Sequence, residues 1–532
     1  MSSRIEVGLH AWLQRISHTH LSASDHVFLP SGISTVIGII IIVAVCLCVG
    51  SSPQRLIPGV PIVGGQDSAS IKKNRIRFVH DGMNMLLEGY RRNNGGLYYV
   101  PSKLGERLML PTKYLEELKS APIHEVDFVA TFIEMFEGKY TTMGSRSTLH
   151  PRVVRGQLNR NLWTVMDGIQ DEIRDAFDDA FPPCDDWTEV DVVDRITQVV
   201  ARVSSRMFGG TTLSRNKEWV QSSIAFAIDG FIGAQALKKY PEFLKPLVAR
   251  FVPAIQNIKK HYEAAEKAAI PLLEERAATG ASAADLLYWM DEDAKGDEKD
   301  RAFLAGILLK VSFAAIHTSA AAPSQLLYDL CAMPEYIDPL RQEIEENTGP
   351  DGKINQKGFL NMTKLDSIMK ESQRFNPLLL ITFERVVTRD YQLSDGLIIP
   401  ANTTIGIPTH AISMDSALYP DPETFRGFRF DESSRKAKEA GLGDKSGKEK
   451  PASSASVAYA ASHPSSMAFG YGRHACPGRF FASAEIKAIM AYLLRNYEFK
   501  YPTGQTERPP SLLFETQNLP NPAGRILFKR RK

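Results

Sequence analysis

Of the five cysteines in this 532-residue chain, one stands in a setting that could do chemistry. Residues 469–478 read FGYGRHACPG and hold Phe469, Gly472 and Gly478 at fixed spacings from Cys476. A cysteine that binds a metal does so as a thiolate, and the sulfur's charge needs donors that do not compete for the metal. A turn that runs into a helix supplies them. The first backbone N–H groups of a helix have no partner within it and form the positive end of its dipole. Pro477 suits the first position of such a helix, and Gly470 and Gly472 permit turn conformations closed to other residues. Gly478 lets the backbone approach a flat macrocycle closely, and Phe469 can cover the sulfur and keep water from it. The other cysteines, Cys46, Cys48, Cys184 and Cys331, show neither the paired spacing of a zinc site nor the density of a disulfide scaffold, which fits a reducing compartment.

A second stretch, residues 302–322 (AFLAGILLKVSFAAIHTSAAA), is uncharged apart from Lys310, as a helix buried on all sides would be. Ala314, Ala315, His317, Thr318 and Ser319 break its aliphatic run with small and polar groups. Small side chains leave room for a bound diatomic molecule. A hydroxyl can donate to that molecule and relay protons, although a helical threonine commonly bonds back to its own helix. Pro323 removes the hydrogen bond to Ser319 and predicts a kink beside this groove.

The loop FGYGRHACPG resembles the haem-binding signature of the cytochromes P-450, and its extension RFFA resembles fungal members that tailor terpenoids and other secondary metabolites. The resemblance covers about residues 55–530. It implies a mainly α fold with a small β region, haem b held by the Cys476 thiolate, and an oxygen-binding groove at Thr318 with Ser319 and His317 beside it. The family often carries an acid where this chain has His317, which leaves the proton route open. Glu371 and Arg374 share a helix face at i and i+3, and Arg429 follows in PDPETFRGFRF; the family joins such residues in a buried structural triad behind the haem. His474 matches a position used for the haem propionates, with Arg155 and Arg385 as weaker matches.

The elements that must position these residues are legible in outline. Residues 97–100 and 107–110 predict two short strands, residues about 112–345 are mostly helical in period, and residues 360–430 turn to strand-and-turn text. Residues 434–466, rich in Lys, Ser, Ala and Gly, predict a solvated loop, and a last helix runs from near Cys476 to about Arg495. Ahead of all this, residues 33–50 (ISTVIGIIIIVAVCLCVG) would span about 27 Å as a helix, close to a hydrocarbon core about 30 Å thick. A secretory signal peptide is the alternative, but its apolar region is shorter and nearer the N-terminus. Basic residues follow this run (Arg55, Lys72, Lys73, Arg75, Arg77), whereas only Arg4 and Arg15 precede it, which places the bulk of the chain on the cytoplasmic side. The expected organisation is an N-terminal segment (1–32), a transmembrane anchor (33–50), a proline-rich linker (51–66) and a catalytic domain (67–532) in the endoplasmic reticulum membrane.

A net charge of +2 asks for no nucleic acid. No nicotinamide or flavin fingerprint is evident, so the resemblance implies electrons from an NADPH-dependent cytochrome P-450 reductase, which Arg473, Arg479 and Lys487 would steer to the cysteine loop. The expected activity is insertion of one oxygen atom of O2 into a lipophilic small molecule. The apolar residues 224–253 would form a roof that meets membrane lipid. A haem-thiolate isomerase or peroxygenase, needing no electron partner, and a non-catalytic haem carrier stand as alternatives.

Overall fold

Most long helices begin where a short polar side chain can accept from backbone N–H groups that lack an intrahelical partner. Asp67 opens α1 (Ser68–Arg92) and Asp127 opens α2 (Phe128–Met135) in this way. After α3 (Leu162–Ala180), Asp191 caps α4 (Val192–Ser214) and Asn216 caps α5 (Lys217–Leu237). Pro253 opens α6 (Pro253–Thr279), and Asp300 caps α7 (Arg301–Ala332) by accepting from Phe303 N–H at 2.7 Å. The series ends with α8 (Thr363–Phe375), α9 (Arg429–Glu439) and α10 (Arg479–Asn496). The computed structural model describes residues 54–439 and 458–532, and residues from Leu56 to Lys532 form one unit. The expected membrane helix lies outside the described residues.

Helix α7 is the axis of the fold. It touches α4, α5, α6, α8 and α10. On α4, Val192, Ile196, Val199, Val200, Val203 and Met207 recur at helical spacing and are buried, so the periodicity of the sequence marks a true core face. Helix α7 stays helical through Pro323, from Arg301 to Ala332. Packing from five neighbours supports a segment that local propensity alone would break. Among the described residues α7 is the one helix long and apolar enough to cross a membrane, but half of its most apolar window is buried inside the protein.

The β region is small. Strands β1 (Tyr98–Ser102) and β2 (Gly105–Met109) form an antiparallel hairpin. With β3 (Val126–Asp127), β5 (Thr382–Val387) and β8 (Thr403–Ile407) they make a sheet of order β1-β2-β8-β5-β3. A second sheet joins β4 (Thr188–Asp191), β12 (Arg525–Arg530) and β9 (Tyr497–Lys500). Two hairpins complete it: β6 (Tyr391–Gln392) with β7 (Ile398–Ile399), and β10 (Leu512–Phe514) with β11 (Gln517–Leu519).

The proline-rich segment packs on the edge of the first sheet. Val63 N–H donates to Tyr99 C=O at 2.9 Å, Tyr99 N–H donates to Pro61 C=O at 2.8 Å, and Val63 is buried. Prolines favour an extended chain, and an extended chain is what an open sheet edge accepts. Of the loop expected at residues 434–466, the part up to Glu439 belongs to α9, and Tyr459 and Ala460 are buried. Cutting the chain after residue 52 should therefore leave thermal stability and haem content unchanged, whereas cutting after residue 66 removes buried apolar side chains and edge hydrogen bonds and should cost about 3 kcal/mol or more. Equal melting temperatures for the two truncations would show that this edge contributes nothing.

Candidate active site

The cysteine loop is built by backbone geometry. Cys476 N–H donates to Phe469 C=O at 2.8 Å, closing the loop on itself. Gly470 and Gly472 have φ of 73° and 68°, and a Cβ on Gly472 would lie 2.6 Å from Lys119 Cβ, so glycine is required there on both counts. Helix α10 starts at Arg479 with Gly478 as its cap, so Pro477 precedes the helix and does not occupy its first position. Burial raises the Cys476 thiol pKa, and the backbone N–H groups of Gly478 and Arg479, with the Arg479 charge, offset part of that rise. The side chain lies deep in the protein mass and yet is open to a probe, so it borders an internal space. A Cβ on Gly478 would meet nothing within 4 Å, so that space continues beside the sulfur. Phe469 is half-buried and packs edge-on against Tyr459, ring centroids 5.3 Å apart.

A matching opening lies on α7. Ala314 and Thr318, one turn apart, are exposed, while Ser312, Ile316, Ser319 and Ala320 around them are buried. Thr318 Oγ1 donates to Ala314 C=O at 2.7 Å, which leaves its lone pairs free to accept. Its two polar neighbours face elsewhere. His317 Nε2 lies 2.9 Å from Ile224 C=O on α5, an acceptor that fixes the N–H on that nitrogen, and burial pushes the ring's pKa down. Ser319 bonds to Glu485 on α10, whose carboxyl also accepts from Ser204 Oγ of α4 at 2.7 Å. His317 and Ser319 were both expected to share the proton route with Thr318; the structure turns them into braces between helices.

Helix α2 joins the two openings. Phe128 stacks on His474 with centroids 5.3 Å apart, then Phe132 and Phe136 follow at one-turn spacing, and Phe136 meets Phe313, the neighbour of Ala314. At the His474 end three guanidiniums gather. Arg385 lies over the Phe128 ring at 4.7 Å, Arg155 Nη2 donates to Arg473 C=O at 3.0 Å, and Arg473 Nη2 donates to Ala121 C=O at 3.1 Å. None of the three has an ion-pair partner among the described residues. Burial and then Arg385, Arg473 and Arg155 push His474 down to about 4, and burial, with Arg473 adding to it, lowers Arg385 to about 10. Cations crowded this way form a site for anions.

Behind the loop, Glu371 is fully buried between Arg374 and Arg429. Arg374 donates to both carboxylate oxygens at 2.9 Å, and Arg429 Nε donates to Oε1 at 3.2 Å. Arg426 N–H adds a bond of 2.9 Å. The outer faces of the guanidiniums donate to the carbonyls of Ser413, Pro422, Asp421 and Thr424, so the triad ties α8 to the chain ahead of α9.

The cytochrome P450 family model matches residues 135–527. The chain belongs to the cytochrome P450 family. It is 35% identical to a cytochrome P450 monooxygenase of Emericella nidulans, over 86% of this chain and 84% of that one. A cytochrome P450 monooxygenase of Annulohypoxylon truncatum is also 35% identical, over 88% of this chain and 92% of its own. An ent-kaurene oxidase of Gibberella fujikuroi is 34% identical, over 86% of this chain and 89% of its own.

P450 enzymes use haem with a cysteine thiolate ligand, and the residues here suit that group. The sulfur has non-competing donors, the space beside it is open, and the unpaired cations around His474 match two carboxylates. One expected surface charge is displaced: Lys487 is buried and donates to Asp366 at 2.9 Å, so it cannot steer a partner. Three residues of this P450 site escaped the sequence reading in these roles: Phe128, Arg473 as part of the cationic nook, and Glu485. Only Glu485 left a signal, as the one acid in α10, within the apolar stretch that precedes Lys487.

Burial raises the Glu485 carboxyl to about 8, so the folded P450 holds a proton there that the unfolded chain releases. A raised folded-state pKa contributes stability that is full below the unfolded value near 4.5 and is lost as pH rises through about 8. Glu485→Gln, permanently neutral, should melt at a higher temperature than the parent at pH 8 and show no such advantage at pH 4.5. Parallel melting profiles across that range would show that the carboxyl is ionised in the folded state.

Proposed function

We propose that this protein is a membrane-bound P450 monooxygenase that inserts one oxygen atom of O2 into a lipophilic terpenoid or related fungal secondary metabolite, taking electrons from NADPH-cytochrome P450 reductase. The observation that carries this reading is the pair of internal openings, the Cys476 sulfur with its backbone donors and the Ala314–Thr318 notch, joined by the aromatic ladder of α2. The names of the relatives, two monooxygenases and an ent-kaurene oxidase, support the reaction and the substrate class.

Haem b, when bound, supplies a redox-active iron whose thiolate ligand favours O–O cleavage, the established behaviour of haem-thiolate iron. Cys476 would ligate it, with the N–H groups of Gly478 and Arg479 favouring the thiolate that coordination requires and Phe469 limiting water. His474, Arg155, Arg385 and Arg473 receive the propionates. The reaction consumes O2, two electrons and two protons, and yields the alcohol and water. Ala314 leaves room beside Thr318, and Thr318 Oγ1 passes protons by exchanging its bond to Ala314 C=O for one to a water or to substrate oxygen. Glu371, Arg374 and Arg429 hold the loop in register and do no chemistry.

The approach of substrate and of the reductase follows the surface. Tyr240, Phe243, Leu247 and Phe251 are exposed within twelve residues of the roof, Phe251 by 74%. An apolar patch of that kind meets lipid or another protein. Here it extends the hold of the anchor at residues 33–50 on the endoplasmic reticulum membrane and admits lipophilic substrate. On the other side, the exposed Phe480 and the half-buried Arg479 beside the cysteine loop would receive the reductase.

Cys476→Ala should abolish the thiolate-type spectrum of the reduced carbon monoxide complex; a variant that keeps it would overturn the assignment. Thr318→Val keeps volume and removes the hydroxyl. NADPH consumption should continue while the share recovered as oxidised product falls about tenfold or more and hydrogen peroxide rises, since positioned proton transfer is typically worth 10²–10⁴-fold. Unchanged coupling would remove Thr318 from the proton route.

A further inference from the structure

Two charged atoms far from the cysteine loop are buried without a hydrogen-bond partner among the described residues: Lys238 Nζ and Glu515 Oε1. They lie within electrostatic reach of one another. A buried, unsatisfied ionic group is costly, so such a pair calls for an explanation.

Their placement supplies one. Ile224, Phe231 and Lys238 follow at seven-residue spacing along α5 and share a face. Ile224 receives His317 beside the Thr318 notch, Phe231 packs edge-on against Phe514 of β10 at 5.3 Å, and Lys238 continues the same line. Glu515 follows Phe514 at the tip of the β10–β11 hairpin and is held in the left-handed region, φ 51°. Its N–H donates to Val79 C=O of α1 at 2.8 Å, and Gly82 of α1 lies so close that a Cβ there would meet Glu515 O at 2.4 Å. The backbone of the tip is thus fixed against α1. Of the other cations within electrostatic reach of Lys238, Arg107 is already paired with Glu384, and Lys103 is the second. Glu134 on α2, within electrostatic reach of Arg107, is raised by partial burial and still exposed.

We propose that Lys238 and Glu515 together bind a hydroxyl group at the end of the substrate remote from the oxidised carbon. This rests on the monooxygenase reading above. Only a group that both accepts and donates satisfies the pair. A hydroxyl oxygen accepts from the ammonium and its hydrogen goes to the carboxylate. A carbonyl leaves Glu515 unmet, a carboxylate is repelled by it, and a bare hydrocarbon meets neither. The substrate is therefore an elongated lipophile that already carries an alcohol, and an earlier oxygenation, or a cyclisation quenched by water, must supply it.

The test is equilibrium dialysis of the purified holoenzyme against radiolabelled geranylgeraniol and the hydrocarbon that lacks its hydroxyl. The alcohol should bind at least about tenfold more tightly, since a site built to hydrogen-bond a hydroxyl discriminates strongly against analogues without one. Lys238→Met and Glu515→Leu should each erase that preference while hydrocarbon affinity stays within about twofold, and Lys238→Arg, which keeps a donor, should retain part of it. An intact carbon monoxide spectrum certifies the fold of each variant. Equal affinities in the parent, or an undiminished preference in both variants, would overturn the proposal. Because dialysis reads binding and not the haem, loss of the thiolate spectrum in the parent would defeat the monooxygenase reading and leave the alcohol preference to be judged separately.

Discussion

A sulfur that is to remain charged inside a protein needs donors with nothing else to bond. Burial opposes the thiolate, and a helix start is one of few places where backbone N–H groups are left over. The turn at residues 470–476 exists to deliver Cys476 to that place. Its two left-handed glycines bend the chain, the Cys476-to-Phe469 backbone bond closes it, and Gly478 and Arg479 present their N–H groups. Helix α10 must then be anchored firmly, because any shift of its first turn moves the donors. Its buried polar residues do this: Glu485 holds α4 and α7, and Lys487 holds Asp366 of α8.

The interior contains opposite electrostatic solutions a short distance apart. The Glu371 triad is saturated, with every donor satisfied by the carboxylate or a carbonyl. The nook of Arg155, Arg385, Arg473 and His474 is left in excess of positive charge, and the Phe128 ring shields part of it. A saturated ionic cluster fixes a fold, whereas an unsaturated one waits for a ligand of opposite sign. The same distinction separates the Arg107–Glu384 pair from Lys238 and Glu515.

What the sequence disclosed follows from the range of the forces involved. The cysteine loop, the helical period of α4 and the Glu-x-x-Arg spacing are local, and each read correctly as an element. Arg429 closing on Glu371 across 58 residues came from family resemblance and not from spacing. Failures arose where a local rule met a tertiary one. Pro323 lies within a continuous helix that five neighbours pack against, and the extended chain at Pro61–Val63 pairs with Tyr99 of β1, a tertiary contact that no local rule shows. Lys487 read as a surface charge because its partner Asp366 lies 121 residues away. Glu515, on a hairpin tip, gave no signal at all, since only the approach of α1 and α5 makes it buried.

Helix α7 shows how one hydroxyl is singled out from several. Residues 312–319 carry four polar side chains: Ser312, His317, Thr318 and Ser319. Ser312 donates to Leu309 C=O within the helix, His317 is held by Ile224 of α5, and Ser319 is held by Glu485 of α10. The first is internal to the helix; the bonds of His317 and Ser319 reach neighbouring helices and fix the rotation of α7 about its axis. With that rotation fixed by neighbours on two sides, Thr318 has one direction left to face, and it is the direction in which Ala314 offers no side chain. The selectivity of the notch for a single hydroxyl is therefore a consequence of packing. Substituting either brace should disturb it even though neither side chain faces the opening.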